Sequence, residues 1–167
     1  MSNAIRDLQI ANNLASPIDI MIDIETVGVH NNAGIWQIGA VNIRDPYNTL
    51  FQYTINPEVY HNRPHYDWDT DTLSWQTLEN NSNWNYARSL SLTDTPNKMA
   101  NVFAEYIIEQ SGKDNPVNLW SKGKDFDFPI LEHLLGVEGI KVPWRYHQKH
   151  CFRDIQYAMG QPMRLDK

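Results

Sequence analysis

The segment Ile18–Gly28 constrains the fold of this chain most strongly. It reads Ile-Asp-Ile-Met-Ile-Asp-Ile-Glu-Thr-Val-Gly, in which aliphatic and acidic side chains alternate. Successive residues of a strand point to opposite faces, so Ile22 and Ile24 lie on one face while Asp23 and Glu25 lie on the other. The segment therefore predicts a strand with one buried face and two carboxylates on the opposite face.

Two interpretations of these neighbouring carboxylates are open from the strand alone. Two like charges close together oppose each other's ionisation, and a hard divalent cation with oxygen ligands is one partner that relieves this repulsion. Alternatively, the acids lie on a strand face that is open to water, since the short pattern Asp-x-Glu is common.

Composition and length narrow the class of protein. The chain has 167 residues with 41% hydrophobic and 20% charged content, which is typical of one soluble globular domain. No apolar run reaches the roughly 20 residues of a membrane span, and no signal peptide is recognised at the start. A cytoplasmic protein without a membrane partner is expected. The single cysteine, Cys151, excludes an internal disulfide and is interpreted as a packed thiol.

Charge is distributed unevenly along the chain. The net charge is −6; residues 1–112 carry 13 acidic and 5 basic side chains, whereas residues 113–167 carry 7 acidic and 9 basic ones. The overall acidity argues against a general nucleic-acid coat protein. The basic C-terminal third is compatible with contact to a phosphate backbone.

Periodicity and turn signals predict the element order β-β-β-α-β-α-β-α, an α/β fold that begins with a three-stranded antiparallel meander. Residues 1–16 are predicted to form an N-terminal arm, and residues 17–167 one domain. The predicted strands are Ile18–Glu25, Gly34–Ile43, Thr49–Asn56, Val117–Ser121 and His150–Phe152. The predicted helices are a short one capped by Asp71-Thr72 and reaching Leu78, one from Thr95-Pro96 to Ser111, and the segments Phe126–Leu135 and Asp154–Met159.

A second acidic position follows the predicted fourth strand. There a glycine-containing turn leads into a helix whose first turn carries Asp125 and Asp127. Ordinary N-capping and the helix dipole account for Asp125. They account less well for Asp127, which lies between Phe126 and Phe128 at the expected entrance to the fold.

Three segments together resemble the DEDD superfamily of 3′-5′ exonucleases, which has an RNase H-like fold. They are Ile-Asp-Ile-Glu-Thr-Val-Gly, Ile-Trp-Gln-Ile-Gly-Ala-Val and Trp-Ser-Lys-Gly-Lys-Asp-Phe-Asp-Phe-Pro-Ile-Leu. The most similar branch is that of phage and prophage exonucleases such as T4 exonuclease A, related to RNase T and DnaQ-type proofreading exonucleases. The segments Asp-Thr-Leu-Ser-Trp (71–75) and Phe-Arg-Asp-Ile (152–155) extend the likeness over residues 18–160.

The resemblance implies a metal-dependent 3′-5′ exonuclease in a bacterial or phage-infected cytoplasm. Its partner would be the 3′ end of single-stranded nucleic acid, either RNA or DNA, and its products nucleoside 5′-monophosphates. The resemblance assigns Asp23, Glu25 and Asp127 as three of four carboxylates that hold two Mg²⁺ or Mn²⁺ ions.

The same resemblance assigns residues to the substrate. Thr26, Val27 and Gly28 match the loop that approaches the terminal nucleotide, with Val27 pressing on the last base and Gly28 near the sugar. Phe126 and Trp75 are implied to stack on or pack against the strand. For Trp75, a core tryptophan is an equally open interpretation.

The chain departs from the family pattern at the fourth carboxylate. This acid is expected on a last helix after Asp154, in His-x-x-x-x-Asp or Tyr-x-x-x-Asp form, and no match precedes Lys167. His150 and Asp154 have the spacing of the tyrosine form, with histidine replacing tyrosine. Asp154 aligns better with a family aspartate that starts the helix before the last one. It is therefore interpreted as a helix N-cap, or as a residue that contacts the metal ligands and does not bind the metal itself.

This departure leaves an alternative function open. The chain could be a catalytically impaired nucleic-acid-binding or regulatory domain that keeps the exonuclease fold; a polynucleotidyl transferase or endonuclease is a weaker third interpretation. With a core helix missing, the 167-residue chain is expected to be nearly inactive, and far less active than a version extended through the family's His-Asp helix. The apolar surface so exposed would favour a homodimer.

Overall fold

The computed structural model describes residues 17–78, 82–111 and 117–160, so the predicted arm 1–16 lies outside the described residues. Five strands form one mixed sheet in the order β3-β2-β1-β4-β5. The strands are β1 (Ile18–Thr26), β2 (Ile35–Asn42), β3 (Phe51–Thr54), β4 (Val117–Ser121) and β5 (Lys149–Cys151).

The pairing directions confirm the predicted meander. Strands β1, β2 and β3 pair antiparallel, whereas β4 is parallel to both β1 and β5. Parallel strands end on the same side of a sheet, and loops beyond those ends commonly carry ligand-binding residues. The acids at the end of β1 and those that follow β4 are therefore brought to one side of the molecule.

Five helices accompany this sheet within the described residues. They are α1 (Thr70–Leu78), α2 (Ser82–Ser89), α3 (Pro96–Ser111), α4 (Lys124–Val137) and α5 (Phe152–Ala158). Helix α2 was not predicted; it buries only Trp84 and Ala87 and is otherwise polar. Strand β5 begins one residue earlier than predicted, and α5 begins two residues earlier.

Two of the predicted helix N-caps are wrong, and a third is confirmed. Helix α1 is capped by Asp69, whose carboxylate accepts the backbone N–H of Asp71 and of Thr72 at 3.2 and 3.1 Å. The N-cap position of α4 is Gly123, not Asp125. The predicted start of α3 is confirmed, because the Thr95 hydroxyl accepts the Lys98 backbone N–H at 3.2 Å.

The hydrophobic core joins the isoleucine face of β1 to α3 and α4. Ile20, Ile22 and Ile24 are buried in one cluster with side chains such as Phe103 and Leu131. This burial fixes the orientation of β1, since a shift by one residue would exchange its two faces. No helix in the described ranges is both long enough and apolar enough to cross a bilayer.

Candidate active site

The structure brings the three predicted carboxylates to the same region. On β1, Asp23 is exposed and Glu25 is half-buried, while the intervening Ile24 is buried, as the alternation predicted. Asp127 lies in the first turn of α4, directly after the turn that follows β4, and is only 7% exposed. Two adjacent strand ends thus position all three acids.

Asp23 is electrostatically coupled to both other acids. Burial raises the pKa of Glu25, and the charge of Asp23 raises it further. Burial is also the main cause that raises the pKa of Asp127, again with a contribution from Asp23. Desolvation by the surrounding protein raises the pKa of Asp23 as well, although part of this side chain is exposed to solvent. The three carboxylates therefore form two mutually repelling pairs that share Asp23.

Nearby positive and hydrogen-bonding groups oppose these shifts only in part. Lys122 lowers the pKa of Asp23. Against the dominant effect of burial, Ser121, the Gly123 backbone and Arg153 lower the pKa of Asp127. The Gly123 N–H donates to Asp127 Oδ2 at 3.3 Å. The buried Ser121 Oγ has no hydrogen-bond partner within the described residues. Its effect on the pKa of Asp127 is therefore weak.

The donor set fits a hard divalent cation, although not as a preformed cage. Within the described residues, no three acidic, histidine or cysteine side chains converge closely enough to hold an ion. Mg²⁺ is commonly bound by only one or two carboxylates, with water and substrate phosphates completing the shell. Two carboxylate pairs whose repulsion is only partly offset by Lys122 and Arg153 match that chemistry.

A cavity of about 510 Å³ adjoins this cluster, with Glu25 in its wall. Trp75 and Phe126 also line it, and they are 57% and 38% exposed. The interpretation of Trp75 as a core residue is therefore wrong. A second cavity of similar volume, beside β3, contains none of the three acids, and we do not associate it with them.

The loop after β1 corrects the prediction for Val27. This side chain is fully buried in the core, whereas Val29 is 59% exposed and lines the cavity. The pairing register of β1 with β2 shifts between Glu25 and Thr26, so the alternation of faces breaks there. As a result, Thr26 and Val27 are both buried, and Val29 is the loop side chain that can touch a ligand.

Gly28 is held close to the segment that precedes α1. A Cβ atom at Gly28 would lie 2.8 Å from Asp67 Oδ2, so a side chain at this position would require the Asp67 carboxylate to move. The Thr26 hydroxyl donates to the Gly28 carbonyl at 2.6 Å, and the Asp69 N–H donates to the Val27 carbonyl at 3.0 Å. The loop is therefore tied to the start of α1.

The structure does not bring His150 and Asp154 into contact with the carboxylates. The His150 ring stacks on Trp120 at 4.5 Å between centroids, and its Nε2 lies 3.3 Å from Asn118 Oδ1. Cys151, not Asp154, occupies the N-cap position of α5. Asp154 is exposed and makes no hydrogen bond or ion pair with the three acids in the described part of the chain. Its role behind the metal ligands remains a prediction.

A family model of the 3′-5′ exoribonuclease Rv2179c-like domain matches residues 18–167. The chain belongs to this family of 3′-5′ exoribonuclease domains. The predicted membership of the 3′-5′ exonucleases is thereby confirmed. The finer predictions, a DEDD site and the phage branch, are left as predictions. A search among curated proteins gives no match.

Solved structures of exonuclease I share the fold. An E. coli complex of this enzyme with single-stranded DNA in metal-free form has a TM-score of 0.63 and 11% identity over 87% of this chain and 30% of that chain. The zinc-bound form of the complex has a TM-score of 0.61 with the same identity and coverage. The chain spans about 30% of the length of these relatives, and the likeness confirms the α/β RNase H-like fold.

Proposed function

We propose that this chain is the catalytic domain of a divalent-metal-dependent 3′-5′ exonuclease that degrades single-stranded RNA to nucleoside 5′-monophosphates. The observation that carries the proposal is the position of Asp23. It repels both Glu25 and Asp127 beside a cavity flanked by Trp75 and Phe126. The family description names an exoribonuclease, which favours RNA as the substrate.

Asp23, Glu25 and Asp127 would hold the metal. When bound, Mg²⁺ or Mn²⁺ activates water near neutral pH and neutralises charge on the departing oxygen. The residues of the chain contribute hard oxygen ligands, and Asp23 is shared between the two pairs. The fourth carboxylate of a DEDD site is not among the acids coupled to these three in the described residues.

The cavity next to Glu25 would take the terminal nucleoside. Trp75 and Phe126 expose aromatic surface there, and every base can stack on an aromatic ring, so this contact does not select sequence. Val29 would touch the base in place of Val27. Gly28, which has no side chain of its own, would allow the backbone to approach the sugar.

DNA is the second candidate substrate, because the exonuclease I complexes that share the fold contain single-stranded DNA. Digestion of RNA and DNA strands of the same sequence would separate the two. Faster digestion of RNA supports the proposal. Binding of the strand without digestion would instead support the catalytically impaired domain.

Metal binding should depend on Asp23. Calorimetric titration of Mn²⁺ into wild type is expected to show binding that Asp23→Ala abolishes or weakens severely, because both acid pairs lose their common member. Glu105→Ala removes an exposed acid on the outer side of α3 and is the control, expected to match wild type. Equal Mn²⁺ binding by wild type and Asp23→Ala would refute the assignment.

Loss of the Trp75 ring should weaken substrate binding. Base–aromatic stacking contributes about 1–3 kcal/mol, so Trp75→Ala should raise the KM for a short RNA strand about 5- to 150-fold. Leu78→Ala is the matched control, since Leu78 is 83% exposed on the same helix and does not line this cavity. Steady-state kinetics of the three proteins would test this, and equal KM values for the two variants would count against the nucleotide site.

A further inference from the structure

Helix α1 buries an unexpected side chain. A helix at a protein surface usually buries its apolar residues. In α1 the one buried side chain is Gln76, at 3% exposure, while its neighbour Trp75 and Leu78 are exposed. A buried amide is stable only if its polar atoms find partners, so the burial of Gln76 requires a polar group beneath the helix.

The Glu25 carboxylate is such a partner. Gln76 and Glu25 line the same cavity, on α1 and β1 respectively. A side-chain hydrogen bond links Gln76 to the Glu25 carboxylate. The amide N–H₂ is the donor, because an ionised carboxylate can only accept. Such charge-assisted bonds are short and directional.

The same helix is fixed to the β1 loop at its other end. Asp69, which caps α1, donates its backbone N–H to the Val27 carbonyl at 3.0 Å. One bond therefore holds the start of α1 to the loop, and the Gln76 contact holds a later turn to Glu25. Trp75, adjacent to Gln76 in sequence, faces the cavity from this fixed helix.

We propose that Gln76 is a positioning residue that orients the Glu25 carboxylate for metal binding and couples that orientation to helix α1. This inference rests on the proposed function. Gln76 itself would touch neither metal nor substrate phosphate, and it would act through Glu25. Partners of this kind typically change metal affinity about 10- to 100-fold when they are removed.

The test replaces Gln76 by an apolar side chain of similar length. Gln76→Met should weaken Mn²⁺ binding about 10- to 100-fold in a calorimetric titration. Raising the Mn²⁺ concentration should restore most of kcat, with the KM for a short RNA changing little. Thr77→Met is the matched control, because it introduces the same residue at an exposed position of α1.

A second variant separates loss of the hydrogen bond from a general loss of stability. Gln76→Asn keeps the amide but is one methylene too short to reach Glu25, so it should show the same loss of Mn²⁺ affinity. Unchanged affinity in both variants, with only a lower melting temperature, would show that Gln76 is purely structural and would overturn the inference. If the wild type neither binds Mn²⁺ nor digests RNA, the proposed exonuclease function itself is refuted. This result differs from failure of the Gln76 inference alone, in which the wild type binds Mn²⁺ and both variants bind it equally well.

Discussion

The Asp127→Asn variant should lose about 10³-fold or more of its exonuclease activity and yet, without metal, melt at a higher temperature than wild type. Loss of a metal ligand removes several kcal/mol of transition-state stabilisation, and each 1.36 kcal/mol corresponds to a tenfold change in rate. The gain in stability has a separate cause. Burial of Asp127, aided by the charge of Asp23, disfavours its ionised form in the folded protein.

The sign of the pH dependence follows from this raised pKa. Below the unfolded value, near 3.8, Asp127 is protonated in both states and carries no penalty. As pH rises from the unfolded pKa to the folded pKa, the unfolded state has released its proton while the folded state still holds it, so stability falls across this interval. Above the folded pKa the penalty is complete, and asparagine, which is uncharged, avoids it.

Thermal melts in EDTA at pH 4 and pH 7 would measure this effect. A change of 1 kcal/mol appears as about 2–4 °C in a domain of this size. Asp125→Asn is the control, because Asp125 is an exposed acid in the same helical turn and both variants lose the same favourable dipole interaction. A lower metal-free melting temperature for Asp127→Asn than for Asp125→Asn would contradict the assignment. Added Mn²⁺ should stabilise wild type but not Asp127→Asn.

Local periodicity was sufficient to predict the elements that position the acids. The alternation in β1 and the helical spacing of Met99, Phe103 and Ile107 in α3 each reflect one buried face. Short turns between β1, β2 and β3 made antiparallel pairing the natural expectation. Asp23 and Glu25 could be identified from this pattern, whereas the roles of Thr26 to Gly28 came from family resemblance.

Features that depend on tertiary contacts were not predictable from the sequence. The register shift at Glu25 and Thr26 buries Val27 and exposes Val29, and nothing in the local pattern marks it. Gln76 is buried, and Glu25, to which it is hydrogen-bonded, is distant in sequence. Leu78, an apolar residue of the same helix, is 83% exposed. In α1, therefore, a buried polar side chain accompanies the packing of Leu73 against the core.

A 3′-phosphate on the substrate should stop digestion almost completely. The cavity proposed for the terminal nucleoside is lined by Glu25, Asp69 and Asp71. A terminal phosphate adds about 1.5–2 negative charges at neutral pH, which these acids would repel. A strand without any end should likewise be resistant, because the turn from Thr26 to Val29 and the Trp75 ring are expected to hold a free terminal nucleotide.

The central claim, metal-dependent removal of nucleotides from a 3′ end, is tested most directly by one time course. A single RNA sequence would be supplied in three forms, 5′-labelled with a free 3′-hydroxyl, 5′-labelled with a 3′-phosphate, and circular, each with Mn²⁺ and with EDTA. We expect only the first form with Mn²⁺ to shorten progressively from its 3′ end, with release of nucleoside 5′-monophosphates. Cleavage of the circle at the same rate, or equal digestion in EDTA, would contradict the account.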